Sequence, residues 1–146
     1  MIALGCAATR ETVVNAPPER AGDVEAIKGV VSGFYDAQNR FDVDGFMVLL
    51  AEDAKVDSIS QGGKIAKAAY GPAMTTFWSK PENRAYTTRS RILSITAPDA
   101  THATVLTEFI LMKGSWSSRP SEDEWKLEKR DGKWLIVDET MTKRGF

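Results

Sequence analysis

The stretch DAKVDSIS, Asp53 to Ser60, sets a carboxylate beside a hydroxyl, at Asp57 and Ser58, on a segment that reads as a β-strand. Side chains alternate along a strand, so Ala54, Val56, Ser58 and Ser60 share one face and Lys55, Asp57 and Ile59 the other. The small and apolar set belongs inside, which turns Ser58 inward and leaves Asp57 as a surface partner for Lys55. A β-bulge would re-aim Asp57 and make it a carboxylate base. Another acid, Glu108, alternates with Leu106, Ile110 and Met112 on a segment from Thr101 to Met112, whose other face carries Val105, Thr107, Phe109 and Leu111. A carboxylate among apolar neighbours titrates high and suits general acid or base work. Near the C-terminus, Asp131-Gly132 predicts a two-residue hairpin turn, which sets Leu127 opposite Ile136 and Trp125 opposite Asp138. Asp138 then faces wherever Trp125 faces, and a bulged turn would exchange it for Glu139. His102, the single histidine, follows a turn and reads as an exposed strand-start residue. The glycine pairs have no phosphate-binding context. With one cysteine, Cys6, neither an internal disulfide nor a cysteine-based metal site is possible. No metal ligand set and no cofactor are expected.

The elements that must position these groups are legible from periodicity. Val24, Ile27, Val31, Phe34 and Tyr35 recur at three- and four-residue spacing, one face of a helix from Asp23, as N-cap, to about Arg40. Asp42 caps a second, shorter helix that buries Phe46, Leu49 and Leu50. Pro72 suits the first turn of a third helix carrying Met74, Phe77 and Trp78, and Lys64 to Ala69 is ambiguous. Ala85 to Thr96, Thr101 to Met112, Glu124 to Lys129 and Lys133 to Thr140 are rich in β-branched and aromatic residues and read as a meander joined by turns. The fold class is α+β: three N-terminal helices packed on one face of a strongly curved antiparallel sheet.

The chain resembles the nuclear transport factor 2-like superfamily, which includes SnoaL-like polyketide cyclases and ketosteroid isomerases. The resemblance runs from about Asp23 to Thr142. It rests on FYDAQNRFDVDGFMVLLAEDAKVDS, where a helix, a D-x-D-G second helix and an acidic approach to a strand follow in family order, and on the closing WKLEKRDGKWLIVDE. It implies a cone-shaped, cystatin-like α+β barrel with an apolar pocket at its open end, often in a homodimer. By that comparison the isomerase's general base falls on Ser58, its oxyanion tyrosine on Phe34 and its second acid on Asp123. Tyr35 stands next to Phe34 but about 100° round the helix. Without base and phenol together, a dienol mechanism lacks its parts, which argues against steroid isomerisation. The alignment also turns the Glu108 face toward the pocket. Glu108, Asp123 and Asp138 are then the candidate catalytic acids, and Phe34, Ser58, Trp78, Leu106, Ile110, Trp125 and Ile136 the candidate ligand-pocket residues. The expected ligand is a small apolar or aromatic molecule, either simply bound or, as a carbonyl or polyketide-like compound, turned over by carboxylate acid/base catalysis without a cofactor. Because both faces of Thr101 to Met112 carry apolar residues, a partner subunit is expected to cover the outer one, giving a homodimer through the sheet.

The chain has 146 residues and a net charge of −1, which offers no electrostatic reason to expect nucleic acid. The opening MIALGCAATR resembles the end of a bacterial lipoprotein signal, with Cys6 as the lipidated residue, although its apolar stretch is short. Residues 1–22 are expected to be a truncated signal-like start and a flexible tether, and 23–146 one domain. If the start is truncated the protein belongs to the cell envelope, lipid-anchored or periplasmic; otherwise it is cytoplasmic.

Overall fold

The computed structural model describes residues 11–146. Cys6 and its lipidation lie outside the described residues. The chain does not begin its regular structure at Asp23: Val13–Asn15 forms a strand (β1) parallel to a later one, so this part of the expected tether is built into the sheet. Helix α1, Ala21–Asn39, starts before Asp23 and buries Val24, Ile27, Val31, Phe34 and Tyr35, the face that periodicity marks. Asp23 is not its cap; its carboxylate reaches the sheet instead, accepting from Lys129 Nζ at 2.9 Å and Trp134 Nε1 at 3.0 Å. Helix α2, Val43–Met47, is capped as expected by Asp42, whose Oδ1 accepts from Gly45 N at 2.9 Å.

Strand β2 runs Leu50–Ser58 and folds back through a single helical turn into β3, Gly63–Ala66. Helix α3 spans Lys67–Trp78, so Pro72 lies inside it rather than in its first turn. Proline there gives up one helical hydrogen bond and crowds the carbonyl four residues back, at Ala68. The remaining strands are β4 (Thr87–Thr96), β5 (His102–Lys113), β6 (Trp116–Ser117), β7 (Ser121–Arg130) and β8 (Lys133–Lys143).

The class is α+β as expected, but the sheet is mixed rather than antiparallel. Its order is β1-β4-β5-β7-β8-β2-β3, with the short β6 beside β5. The β1/β4 and β2/β8 pairs are parallel. Register shifts interrupt the β4/β5, β7/β8 and β2/β8 ladders, and each extra residue adds bend and twist, so the sheet curls round the helices without closing. Helix α1 lies across β4 and β8, and α3 against β2. The space between is filled by Phe34, Phe46, Leu50, Val105, Trp125, Leu127 and Ile136, each at most 2% exposed.

Candidate functional site

Strand β5 turns its other face inward. Ala103, Val105, Thr107 and Phe109 are buried, while Leu106 is 38% exposed. The register explains this: Val105 lies opposite Trp125 and Thr107 opposite Asp123, and residues directly opposite share a face. Glu108, Leu106 and Ile110 therefore leave the candidate site. Glu108 pairs outside with Arg91, Nε to Oε1 2.9 Å, on the neighbouring strand.

Strand β8 shifts in the same way. Leu127 does face Ile136, but Lys126 faces Asp138 and Trp125 faces Glu139, so one extra residue, Val137, is bulged out within the strand rather than at the turn. Asp131 and Gly132 keep the two-residue turn, with φ of 50° and 77°. Asp138 consequently points outward, where Lys64 Nζ donates to it at 2.6 Å. Glu139 takes its place inside, and Ile136 sits in the core behind the cavity.

What the curled sheet encloses is a cavity of about 420 Å³. Phe34, Ser58, Trp78, Asp123 and Trp125 line it, together with Tyr35, Asp57, Tyr70, Phe109 and Glu139. Its walls are aromatic. Phe34 meets Trp125 edge to face at 5.1 Å between centroids, and Tyr35 meets the other side of the indole at 5.4 Å. Trp78 and the half-exposed Trp116 and Arg144 stand nearer the opening.

Its polar end is a chain of hydrogen bonds with one direction. Trp125 Nε1 donates to Thr107 Oγ1 at 2.9 Å, leaving the threonine hydroxyl to donate across 2.8 Å to the Tyr35 oxygen. The Tyr35 hydroxyl donates to Asp123 Oδ2 at 2.7 Å. Asp123 Oδ1 has no donor in this set although it is buried. Its neighbour is the Glu139 carboxyl, and two buried acids side by side cannot both be ionised, so one of the two must carry a proton, which can be shared with the unpartnered Asp123 oxygen. Glu139 is that acid. Burial raises its pKa first, and the Asp123 charge raises it further. Asp123 is raised by burial too, but the bonds from Glu139 and Tyr35 hold it down. The pair therefore keeps one proton at neutral pH. Glu139 Oε2 accepts from Asp57 N at 2.9 Å, which ties the pair to β2. Burial, and then the Asp123 charge, raises the Tyr35 phenol well above its ordinary value, so it stays a donor.

Ser58 is buried, as alternation requires, with its hydroxyl 3.2 Å from that of Ser60. Asp57 is not the expected surface partner of Lys55. Its side chain turns sideways to the adjacent strand, where Oδ2 accepts from Met141 N at 2.9 Å, and it lines the cavity half-buried. His102 is exposed and held by Asp99 and Thr101, away from the cavity. Among the described residues no group of acids, cysteines and histidine is arranged to hold a metal ion. None of the helices among them is long and apolar enough to cross a membrane.

No protein-family model and no curated protein matches the chain. Solved structures do. A cystatin-like domain of unknown function from Nostoc punctiforme superposes with a TM-score of 0.74 at 17% identity, covering 85% of this chain and 78% of that one. A nuclear transport factor 2-like protein of unknown function from Shewanella oneidensis gives 0.69 at 19%, covering 82% and 98%. A ketosteroid isomerase-like protein from Erwinia carotovora atroseptica gives 0.65 at 14%, covering 84% and 97%. The protein thus has the nuclear transport factor 2-like, cystatin-like fold. That fold hosts many functions, so what the chain does has to be argued from its own cavity.

Proposed function

We propose that this protein binds a small, flat, largely apolar molecule bearing one carbonyl or hydroxyl oxygen. The observation that carries this reading is the 420 Å³ cavity, walled largely by aromatic rings, onto which Tyr35, Asp57, Asp123 and Glu139 converge. Such a combination, apolar walls and a few convergent polar groups, fits a ligand whose body is held by burial and whose one oxygen is fixed by hydrogen bonding. The proton of the Asp123/Glu139 pair can turn from its partner acid to a bound oxygen, and the half-buried Asp57 offers an acceptor. A partner subunit on the outer sheet face and a lipid anchor at Cys6 remain part of the proposal.

A second reading, proton exchange with the bound molecule, is favoured by one feature. Asp57 has a single carboxylate oxygen committed, to Met141 N, and faces the same cavity as a proton-bearing acid. A base and an acid on one cavity are what abstraction of a proton beside a carbonyl requires. 2-Tetralone, a flat apolar ketone with exchangeable protons beside its carbonyl, tests both. Calorimetric binding in the micromolar range supports the cup as a ligand site. Deuterium uptake in D₂O faster than in buffer, falling about a hundredfold or more in Asp57→Asn, supports exchange. If tetralone and similar flat ketones fail to bind at millimolar concentration, the ligand reading is wrong.

A further inference from the structure

We infer that the ligand of this cavity carries an anionic group at its outer end, and that Arg144 receives it; this rests on the cavity being a ligand site. The cavity opens beside a second one of about 320 Å³, and the two share Asp57, Ser58, Ile59, Met141 and Arg144 as walls. Lys143 also lines the second space. Arg144 stands at the junction and Lys143 beyond it, so a ligand too long for the first cavity emerges against Arg144.

Arg144 is prepared for such a contact in two ways. Its guanidinium lies over the Phe146 ring, 4.8 Å from the centroid, so one face is stacked while the in-plane N–H fork stays open. Among the described residues it has no ion-pair or hydrogen-bond partner, whereas Arg91 and Arg130 are paired with acids. The backbone around it is fixed. Gly145 N donates to Ser121 Oγ at 2.8 Å, and its carbonyl accepts from Arg119 N at 3.1 Å. A Cβ at position 145 would run into the Arg119 carbonyl, so only glycine lets the chain lie this close. Two clamped bonds thus hold the residue between Lys143 and Gly145 at the mouth.

Charge then orients the ligand. The inner end already holds Asp57, Asp123 and Glu139, and an anion there would add to the repulsion that keeps a proton on the acid pair. At the mouth the same anion meets a planar fork that matches a carboxylate with two parallel hydrogen bonds. The class of ligand is therefore an amphipathic organic acid: an apolar, aromatic-compatible body with a neutral oxygen inward and a carboxylate or similar anion outward.

The isosteric pair 2-naphthoate and 2-naphthamide tests this by calorimetry at pH 7.5 and low salt. The naphthoate is expected to bind about fivefold tighter, as befits a partly solvated ion pair. Arg144→Gln should abolish that preference while leaving the naphthamide affinity unchanged, and Arg144→Lys should retain part of it. Equal binding of the two compounds by the wild-type protein, or a preference that survives Arg144→Gln, overturns the inference while leaving the cavity's ligand role intact. Binding of neither compound overturns both.

Discussion

Replacing Glu139 by glutamine should leave stability near pH 4 almost unchanged and remove most of the decline that wild type shows from there into mild base. In the folded protein the Asp123/Glu139 pair holds one proton, and the Glu139 pKa is pushed up to about 10 by burial and by the Asp123 charge. Unfolded, both acids are ionised above about pH 5. The raised group makes folding take up a proton, so its contribution is complete below the unfolded pKa and is lost as pH rises toward the folded one. Across that window, stability falls by about 1.4 kcal/mol per pH unit, or roughly 3 kcal/mol between pH 6.5 and 8.5. A glutamine reproduces the protonated acid: its amide N–H can donate to Asp123 Oδ1, and its oxygen can accept from Asp57 N as Glu139 Oε2 does. With no such proton to lose, the variant's profile should be nearly flat from pH 6.5 to 8.5, so its advantage over wild type should widen by roughly 3 kcal/mol across that range. Urea denaturation followed by tryptophan fluorescence at several pH values measures this directly. Glu139→Ala, which leaves both of those groups unpartnered, should be weaker than Glu139→Gln at pH 6 by about 2–4 kcal/mol. Parallel wild-type and Glu139→Gln profiles would refute the shared proton.

Tyr35→Phe removes the hydroxyl that joins Thr107 to Asp123 and should lower stability by about 1–3 kcal/mol in denaturant titration. Because that hydroxyl holds the Asp123 pKa down, the loss should shrink in mild acid as Asp123 protonates. Ser58→Asp adds a carboxylate to a buried position on the same cavity, so it should destabilise near neutral pH and recover as pH falls, again by urea titration; a pH-independent loss would mean the new side chain has turned to water. Light scattering at high micromolar concentration is expected to give a dimer, and Ile110→Glu a monomer. A wild-type monomer at that concentration would remove the partner subunit from the proposal.

Which parts of this site were legible in the sequence follows from how each side chain's direction is decided. A helix face is local. Val24, Ile27, Val31 and Phe34 announce theirs by spacing alone, and Tyr35 comes inward with them because α1 lies in a concave sheet that surrounds more than one stripe of it. Strand faces are local only when one face is polar. On β5 both faces carry apolar residues, so alternation gives two sets and no sign; the sign lies in the pairing with β7, where Trp125 and Asp123 bring Val105 and Thr107 inside. That pairing was not readable, because a long connection containing β6 joins the two strands and fixes no register. On β8 the register was readable from the turn to Ile136 and no further, since a bulge inserts one residue and exchanges Asp138 for Glu139. A trace of it did exist: Met141 shares the parity of Glu139 and not of Ile136, which a strand without a bulge would put on opposite faces. Asp57 fell outside any such rule. Its direction is set by the amide of Met141, on a strand more than eighty residues away, just past the point where the β2/β8 pairing ends at Val56 and Glu139. The bulge at Val137 replaces an acid neutralised by Lys64 with one that has no cation to pair with, and beyond the end of the β2/β8 pairing the Met141 amide draws Asp57 to the same cavity, so two separate backbone irregularities concentrate the acids there.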